Sequence, residues 1–264
     1  MKPDYKNWVP NSMVNGLIAG TVIAFILFIL LGATGLILHG PARIICAIVL
    51  GVATLVLLFF AIWMGALHRA FDYNGKRKLA KTIIDGVAEY VNIPDGGTGL
   101  DVGCGSGALA IACAKRNPNA SMVGCDIWSG AYKAVFTKQR CEENAKAEGV
   151  DNVSFREGNA IKLPFEDGTF DAVTSNYVYH NISGKDKQEL LLETLRVLKK
   201  GGTFAIHDLM DRRRYGDMDA FVSKLKASGY EDVQLIDTAD GMFMEKKEST
   251  WLDLAGSTLL IGRK

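Results

Sequence analysis

The sequence predicts an α/β protein: a mainly parallel seven-stranded sheet with helices on both faces and an antiparallel edge strand, preceded by a transmembrane helical hairpin. Three observations support this fold class. Two long apolar segments stand near the start, strand-like and helix-like segments alternate from about residue 76, and a glycine-rich turn follows the first strand-like segment. Such alternation is typical of parallel sheets whose helices cover both faces.

The first predicted element is the apolar hairpin. Residues 14–38 and 44–67 contain no charged side chain, and each exceeds the roughly 20 residues with which a helix crosses a hydrocarbon core of about 30 Å. A signal peptide has a shorter apolar region, so we interpret residues 1–70 as an N-terminal segment and a two-span membrane anchor, with a buried core hairpin as the alternative. Basic residues flank both spans, which predicts an integral membrane protein with both termini and the following domain in the cytoplasm.

Residues 76–264 form the second predicted region. Its helix-like segments are 76–91, 108–116, 130–148, 186–199 and 218–228, and its strand-like segments are 98–102, 121–127, 153–156, 170–176, 203–207, 232–237 and 257–261. No clear pattern covers residues 242–254. The last two strands have no helical pattern between them, which predicts the antiparallel edge. In a parallel sheet of this kind, ligands bind at the carboxyl ends of the strands.

Composition excludes several classes of function. Lys plus Arg (30) balances Asp plus Glu (29), so no overall positive field indicates nucleic acid as a partner. The five cysteines form no CxxC pair, which argues against a metal site and a disulfide framework and indicates reduced thiols.

The most informative motif is the glycine-rich turn. Residues 100–107 read Leu-Asp-Val-Gly-Cys-Gly-Ser-Gly, and Asp126 ends the next apolar run. Glycines at Gly103, Gly105 and Gly107 allow the backbone to approach a ligand where a side chain would clash. An acid at the end of the neighbouring strand is placed to accept hydrogen bonds from ribose hydroxyls. The turn therefore predicts a nucleoside-containing ligand.

These residues resemble the class I S-adenosylmethionine-dependent methyltransferases, of Rossmann-like fold, and the resemblance covers residues 76–264. The resemblance implies S-adenosyl-L-methionine as the cofactor and Asp101 as the acid near its methionine amino group. A dinucleotide-binding loop has GxGxxG spacing and binds a pyrophosphate, whereas this loop reads GxGxG. Asn159 departs from the family's usual aspartate in the adenine segment, and Asn176 either faces the cofactor or caps the strand end. The expected cofactor-binding residues are Asp101, Gly103, Cys104, Gly105, Gly107, Asp126, Ile127, Trp128, Asn159, Ala160 and Asn176.

Catalytic candidates follow the fourth strand. His180 is the candidate base, because an imidazole titrates near neutral pH, although a structural loop histidine is the alternative. Tyr177 and Tyr179 are candidates for ring and hydroxyl contacts near the transferred methyl group, with packing under the next helix as the alternative for one of them. No side chain gives a strong catalytic signal, and methyl transfer by positioning alone needs none.

We therefore expect a membrane-anchored methyltransferase that acts on a small, lipophilic O, N or S nucleophile at the cytosolic face, with membrane lipid as its other partner. A catalytically silent membrane sensor or scaffold that binds S-adenosylmethionine is the alternative. A nicotinamide oxidoreductase is disfavoured by the GxGxG spacing.

Overall fold

The helical part of the chain is a hairpin of two apolar helices. The computed structural model describes residues 2–129 and 135–264; within it, residues 6–80 form one compact unit. Helix α1 (Asn11–Leu27) continues as a π-helical segment (Phe28–Ala33), and α2 covers Gly40–Phe71. Both helices are long and apolar enough to cross a membrane, and only 6% of each apolar window is buried within the chain.

The hairpin differs in its bounds from the predicted spans. The first helix ends at Ala33 rather than at residue 38, because the chain leaves helical geometry at Gly35, whose φ is 64°. The Arg43 guanidinium donates to the carbonyl oxygens of Gly32 (2.8 Å) and Ala33 (2.7 Å), which the helix end leaves without backbone partners. The second helix is longer than predicted at both ends.

Residues 2–5 and 81–264 form the other compact unit. Its seven-stranded sheet has the order β3-β2-β1-β4-β5-β7-β6. The strands are β1 (Thr98–Val102), β2 (Ser121–Asp126), β3 (Val153–Glu157), β4 (Phe170–Asn176), β5 (Leu198–Leu209), β6 (Glu231–Asp237) and β7 (Ser257–Arg263). Strands β1 to β5 pair in parallel, and β7 pairs antiparallel with both β5 and β6. The predicted mainly parallel sheet with an antiparallel edge is confirmed.

The helices that accompany this sheet are α3 (Leu79–Ala88), α4 (Ala108–Arg116), α5 (Lys138–Ala147), α6 (Lys187–Arg196), α7 (Arg212–Tyr215), α8 (Met218–Ala227) and α9 (Lys246–Trp251). The predicted helix 130–148 begins only at Lys138, where the Thr137 hydroxyl accepts the Arg140 N–H as an N-cap; its first residues, 130–134, lie outside the described residues. The undecided segment 242–254 contains α9.

Strands β2 and β3 lie on one side of β1, and β4 and β5 lie on its other side. The strand order therefore reverses between β1 and β4. At such a switch point the loops after the two strands diverge and open a crevice at their carboxyl ends. Leu100 on β1 and Val173 on β4 are paired in register and fully buried. A rigid core therefore holds the loops that begin at residues 103 and 177.

Candidate functional site

The glycine turn connects β1 to α4 in left-handed backbone geometry. Gly103, Gly105 and Gly107 have φ values of 72°, 54° and 83°, a region that favours glycine. A Cβ on Gly103 would lie 2.4 Å from Cγ2 of Val178, so this position has no room for a side chain. Around Gly105 the nearest atom would be 3.8 Å away, on Phe136. A Cβ at Gly105 would thus meet only the Phe136 ring at ordinary van der Waals distance, so the positive φ rather than a lack of room favours glycine there.

Backbone hydrogen bonds attach this loop to β2. The N–H groups of Gly103 and Cys104 both donate to the carbonyl of Cys125, at 2.8 and 3.1 Å. The Gly105 carbonyl accepts from Trp128 Nε1 at 3.0 Å and from Cys141 Sγ at 3.2 Å. The loop is therefore held before any ligand arrives. Cys104 itself is buried, so only its backbone is placed to contact a cofactor.

Asp126 lies at the carboxyl end of β2, beside the loop. Its Oδ2 accepts the Gly105 N–H at 2.9 Å, and its Oδ1 accepts the Trp128 N–H at 2.8 Å. Each carboxylate oxygen keeps a further lone pair, so both remain able to accept from ribose hydroxyls. Trp128 has a φ of 39° and lies over Gly105. Ile127 is exposed, so its side chain is available for apolar contact with a ligand.

Asp101 is buried beneath the loop and is 1% exposed. It accepts the N–H of Ala110 in α4, while Oδ2 has no hydrogen-bond partner among the described residues. Burial, and to a smaller extent the charge of Asp126, raise the pKa of Asp101 well above its usual value. A nearby cation would offset this cost, so the site fits a positively charged ligand. Because Asp101 is almost completely buried, its carboxyl group can interact with such a ligand only across or through the loop.

The predicted adenine segment forms a tight turn after β3. The Oδ1 of Asn159 accepts the Ile161 N–H at 2.9 Å, and the Asn159 carbonyl accepts the Lys162 N–H at 3.0 Å. Asn159 is exposed and Ala160 is buried. The amide oxygen of Asn159 thus already accepts one hydrogen bond, and it keeps a second lone pair beside the NH₂ donors of the same amide.

Asn176 ends β4 and belongs to a buried hydrogen-bonded chain. Its Oδ1 lies 2.7 Å from His207 Nδ1, and His207 Nε2 lies 2.7 Å from the Thr238 hydroxyl. An amide oxygen only accepts, so Nδ1 carries the proton and Nε2 accepts from Thr238. Burial lowers the pKa of His207 to about 3, despite the opposing charge of Asp208. His207 is therefore neutral and orients the Asn176 amide, leaving the Nδ2 donors for other partners.

The two candidate tyrosines have different surroundings. The Tyr179 ring is fully buried and its hydroxyl pairs with Thr194 at 2.6 Å, so the structure removes it from the catalytic candidates: it packs under α6 and cannot reach an acceptor. Tyr177 has a φ of 53°, and its hydroxyl lies 2.5 Å from Ser257 Oγ. Desolvation raises its pKa. Tyr177 therefore offers a ring face rather than a proton acceptor.

His180 forms a dyad with Asp208 at the carboxyl ends of β4 and β5. The distance from Nδ1 to Oδ1 of Asp208 is 2.5 Å, and the His180 side chain is 20% exposed. Burial opposes ionisation of Asp208, but hydrogen bonding to His180, the charge of that ring, the Leu209 N–H and the Tyr215 hydroxyl together hold its pKa below the usual value. The ionised Asp208 accepts the Nδ1 proton whether the ring is neutral or charged. In the neutral ring Nε2, which has no hydrogen-bond partner among the described residues, is the acceptor atom.

Sequence reasoning found His180 but not its pairing with Asp208, and it did not find Thr238 or Ser257 as site-lining partners. These partners lie at the ends of β5 and β6 and at the start of β7. Their pairing with the site residues can be inferred only once the strand order is known. No cluster of His, Cys, Asp and Glu able to hold a metal ion occurs within residues 2–129 and 135–264.

Residues 100–206 match the family described as a methyltransferase domain. An uncharacterized methyltransferase of Schizosaccharomyces pombe is 37% identical over 103 residues, which are 39% of this chain and 36% of that protein. A demethylmenaquinone methyltransferase of Geobacillus kaustophilus is 36% identical over 117 residues, 44% of this chain and 47% of that protein. The chain therefore spans less than half the length of these curated relatives.

The solved structure of the cyclase SpnF aligns with 73% of this chain and 85% of its own, with a TM-score of 0.51 and 22% identity. At that identity the likeness establishes the fold. The fold alone does not establish methyl transfer, because function depends on the residues of the site.

Proposed function

We propose that this chain, whose residues 100–206 match the methyltransferase-domain family, is an active class I S-adenosylmethionine-dependent methyltransferase held at a membrane. One observation carries the choice of cofactor. The buried Asp101 has an unpartnered oxygen directly beneath a loop of left-handed glycines. S-adenosylmethionine carries an ammonium and a sulfonium, which this carboxyl group favours, whereas the pyrophosphate of a dinucleotide would be repelled.

The described residues would hold this cofactor at three places. Asp126 would accept from the ribose hydroxyls, the exposed backbone of Gly105 would allow close approach, and Asn159 with Ala160 would contact the adenine. When bound, S-adenosylmethionine supplies an electrophilic methyl group. Asn176, fixed by His207, presents amide donors at the switch point, where they would orient a cofactor carboxylate or an acceptor oxygen.

His180 would serve acceptors whose nucleophile carries a proton. Its Nε2 is free to accept that proton, and the buried Asp208 stabilises the imidazolium that results. The Tyr177 ring, whose centroid lies 6.0 Å from that of His180 at 86°, offers a π face to developing positive charge. These groups stand on the loops after β4 and β5, across the switch point from the ribose acid Asp126.

Two observations support membrane anchoring. Only 6% of each apolar window is buried by the chain itself, which disfavours the buried core hairpin. The chain also leaves the sheet-containing unit after Tyr5 and returns to it at Lys81, so the segments that flank the hairpin belong to one unit. Two spans satisfy that arrangement, since both flanks then lie on one side. Basic residues in the flanks favour the cytoplasmic side.

The acceptor is then a small lipophilic molecule reached from the membrane surface. A site tethered to the bilayer meets membrane-dissolved substrates at high effective concentration. The relative from Geobacillus kaustophilus is named for demethylmenaquinone, a lipophilic acceptor, which supports this class of substrate without identifying the one used here.

The full chain in lipid nanodiscs, incubated with methyl-labelled S-adenosylmethionine and fractionated membrane lipids, tests the proposal. We expect label in an organic-soluble product and formation of S-adenosylhomocysteine, and much less of both with the Asp126→Ala variant when the cofactor concentration is near the dissociation constant of the wild type. Failure of the purified chain to bind S-adenosylhomocysteine would contradict the proposal at its first step. Binding without turnover on any fraction would instead identify the silent sensor or scaffold.

A further inference from the structure

We propose that the N-terminal segment, residues 2–5, positions the cofactor loop through Asn144, an inference that rests on the proposed function. Asn144 lies on α5 and is 2% exposed. Its Oδ1 accepts the Asp4 N–H at 2.7 Å, and its Nδ2 donates to the Asp4 carbonyl at 3.2 Å. The same Nδ2 donates to the carbonyl of Ser106, in the glycine turn, at 3.0 Å. A single amide therefore joins the two segments.

Asn144 reaches full hydrogen bonding only when the segment is docked. Its two amide hydrogens and its oxygen are all used in these three bonds, and two of the three go to Asp4. A buried amide that loses partners carries an unfavourable free energy. Departure of the segment therefore favours a rearrangement of Asn144, and with it a loss of the bond to Ser106.

The bond to Ser106 bears on the direction of the loop's peptide groups. Cys141, one turn before Asn144 on the same face of α5, contacts the Gly105 carbonyl at 3.2 Å. Helix α5 thus holds two successive carbonyls of the turn. In a trans peptide the N–H points opposite to the carbonyl, so these contacts set the directions of the N–H groups of Ser106 and Gly107.

The rest of the segment follows the same stripe of α5. The Arg140 guanidinium lies 2.9 Å from the Asp4 carboxylate, and the Tyr5 hydroxyl donates to Glu148 at 3.1 Å. Arg140, Asn144 and Glu148 are spaced four residues apart, which places them in one line along the helix. Tyr5 is 4% exposed. The segment is thus a built contact, with an ion pair, a two-way amide pair and a buried ring in succession.

Coupling between two binding events is reciprocal. If docking of residues 2–5 supports the loop, cofactor binding must in turn strengthen docking by the same factor. Residues 2–5 precede α1 in the chain. A change that displaces these residues should therefore also lower the affinity for the cofactor.

The test is a double-mutant cycle on the full chain in nanodiscs, with S-adenosylhomocysteine affinity measured by calorimetry. Asn144→Leu removes all three bonds, and Asp4→Pro removes the N–H donor and the carboxylate at the segment. We expect each to weaken affinity about tenfold, with the double variant no weaker than Asn144→Leu alone, because both act through one contact. Hydrogen exchange of the Asp4 amide should slow on addition of S-adenosylhomocysteine, and this slowing should vanish in Asn144→Leu.

Matched controls separate positioning from stability. Asn152→Leu removes a comparable amide, which bonds the carbonyls of Ala114, Asn117 and Ala120 far from the loop; it should lower thermal stability and leave affinity unchanged. Asp4→Asn keeps the backbone pair and should bind within about twofold of wild type, since exposed ion pairs contribute little. If the wild type binds but Asp4→Pro binds equally well, or the two effects add, the inference is wrong. If the wild type does not bind, the proposed function fails instead.

Discussion

The two halves of the sheet build their parts of the candidate site by different means. In the half formed by β1, β2 and β3, the contacts use the backbone: Asp126 accepts N–H groups, and the Cys125 carbonyl holds the start of the glycine turn. In the half formed by β4 to β7, side chains also pair with one another, as in His180 with Asp208 and Tyr177 with Ser257. The first half thus presents backbone atoms held in a fixed conformation, and the second half presents polar side chains held in fixed orientations.

We infer that this difference corresponds to two roles: the first half binds the cofactor, and the second half carries the chemistry of methyl transfer. A backbone surface serves a cofactor whose shape does not vary, while side-chain networks can be exchanged to suit different acceptors on one scaffold. We therefore expect substitutions in the first half to change cofactor affinity and substitutions in the second half to change turnover.

The largest expected effect is on turnover. His180→Gln keeps a hydrogen-bonding amide towards Asp208 but removes the proton acceptor. We expect kcat to fall about 100-fold for an acceptor whose nucleophile carries a proton, with S-adenosylhomocysteine affinity unchanged, in a labelled methyl-transfer assay. His39→Gln, in the turn of the apolar hairpin, is the matched control. An unchanged kcat would leave His180 as a structural loop histidine.

In the half that is proposed to bind the cofactor, Asp126→Ala should have the opposite effect: a loss of cofactor affinity with little change in kcat. Loss of a charged acceptor for hydroxyl groups weakens binding of S-adenosylhomocysteine about 30-fold, measured by calorimetry, while kcat at saturating cofactor changes much less. Asp151→Ala, an exposed acid near the end of α5, should bind as wild type. Equal affinity of the Asp126 and Asp151 variants would place the ribose elsewhere.

How far each half could be predicted from the sequence follows from the same difference. Gly103 to Gly107 and Asp126 end adjacent parallel strands, so their proximity was predicted and the structure brings Asp126 to the Gly105 N–H; their contacts with the cofactor stay predictions. His180 and Asp208 are 28 residues apart and Tyr177 and Ser257 are 80 apart. Those pairs depend on strand order and on the antiparallel return of β7, which a local pattern does not specify.

Two other features escaped prediction for similar reasons. Asn144 looked like an ordinary polar position on a helix, because its partner Asp4 is 140 residues away. Asp211 caps the short helix Arg212–Tyr215 by accepting the N–H groups of Arg213 and Arg214, and a helix of four residues is too short to show a periodic pattern in the sequence. The membrane anchor, by contrast, is inferred from length and composition alone, and both the anchor and its topology stay predictions.

Substitutions of glycine by alanine in the glycine turn measure how much of its conformation is imposed by the positive φ and how much by contacts with neighbouring side chains. Gly103→Ala meets both a positive φ and a contact at 2.4 Å with Val178, whereas Gly105→Ala meets the positive φ and only ordinary van der Waals contact with Phe136, at 3.8 Å. We expect Gly103→Ala to lower the free energy of unfolding by about 3 kcal/mol and Gly105→Ala by about 1 kcal/mol, measured by urea denaturation. Gly149→Ala, with a φ of 68° and no neighbour within 4 Å, measures the backbone strain alone. Equal losses at Gly103 and Gly149 would show that Val178 moves aside without cost.

The two halves should also respond to acid with opposite signs. Burial lowers the pKa of His207 from its usual 6.5 to about 3, so between those values the unfolded chain binds the additional proton and stability falls as pH falls. Burial raises the pKa of Asp101 above its usual 3.8, so there the folded chain binds the additional proton and stability rises as pH falls through the raised value. The slope from either group is at most about 1.4 kcal/mol per pH unit.

Single substitutions separate these two contributions. His207→Gln should flatten the loss of stability between pH 6.5 and 4, and Asp101→Asn should steepen it while stabilising the protein at pH 7 and weakening S-adenosylhomocysteine binding. Thermal unfolding midpoints of the cofactor-free chain across that pH range measure both slopes. A parallel shift of the two curves, with no change of slope, would mean that neither buried group exchanges its proton on unfolding. Asp101→Asn raising stability and lowering affinity together would identify Asp101 as a group whose burial is offset only when a cationic ligand is bound.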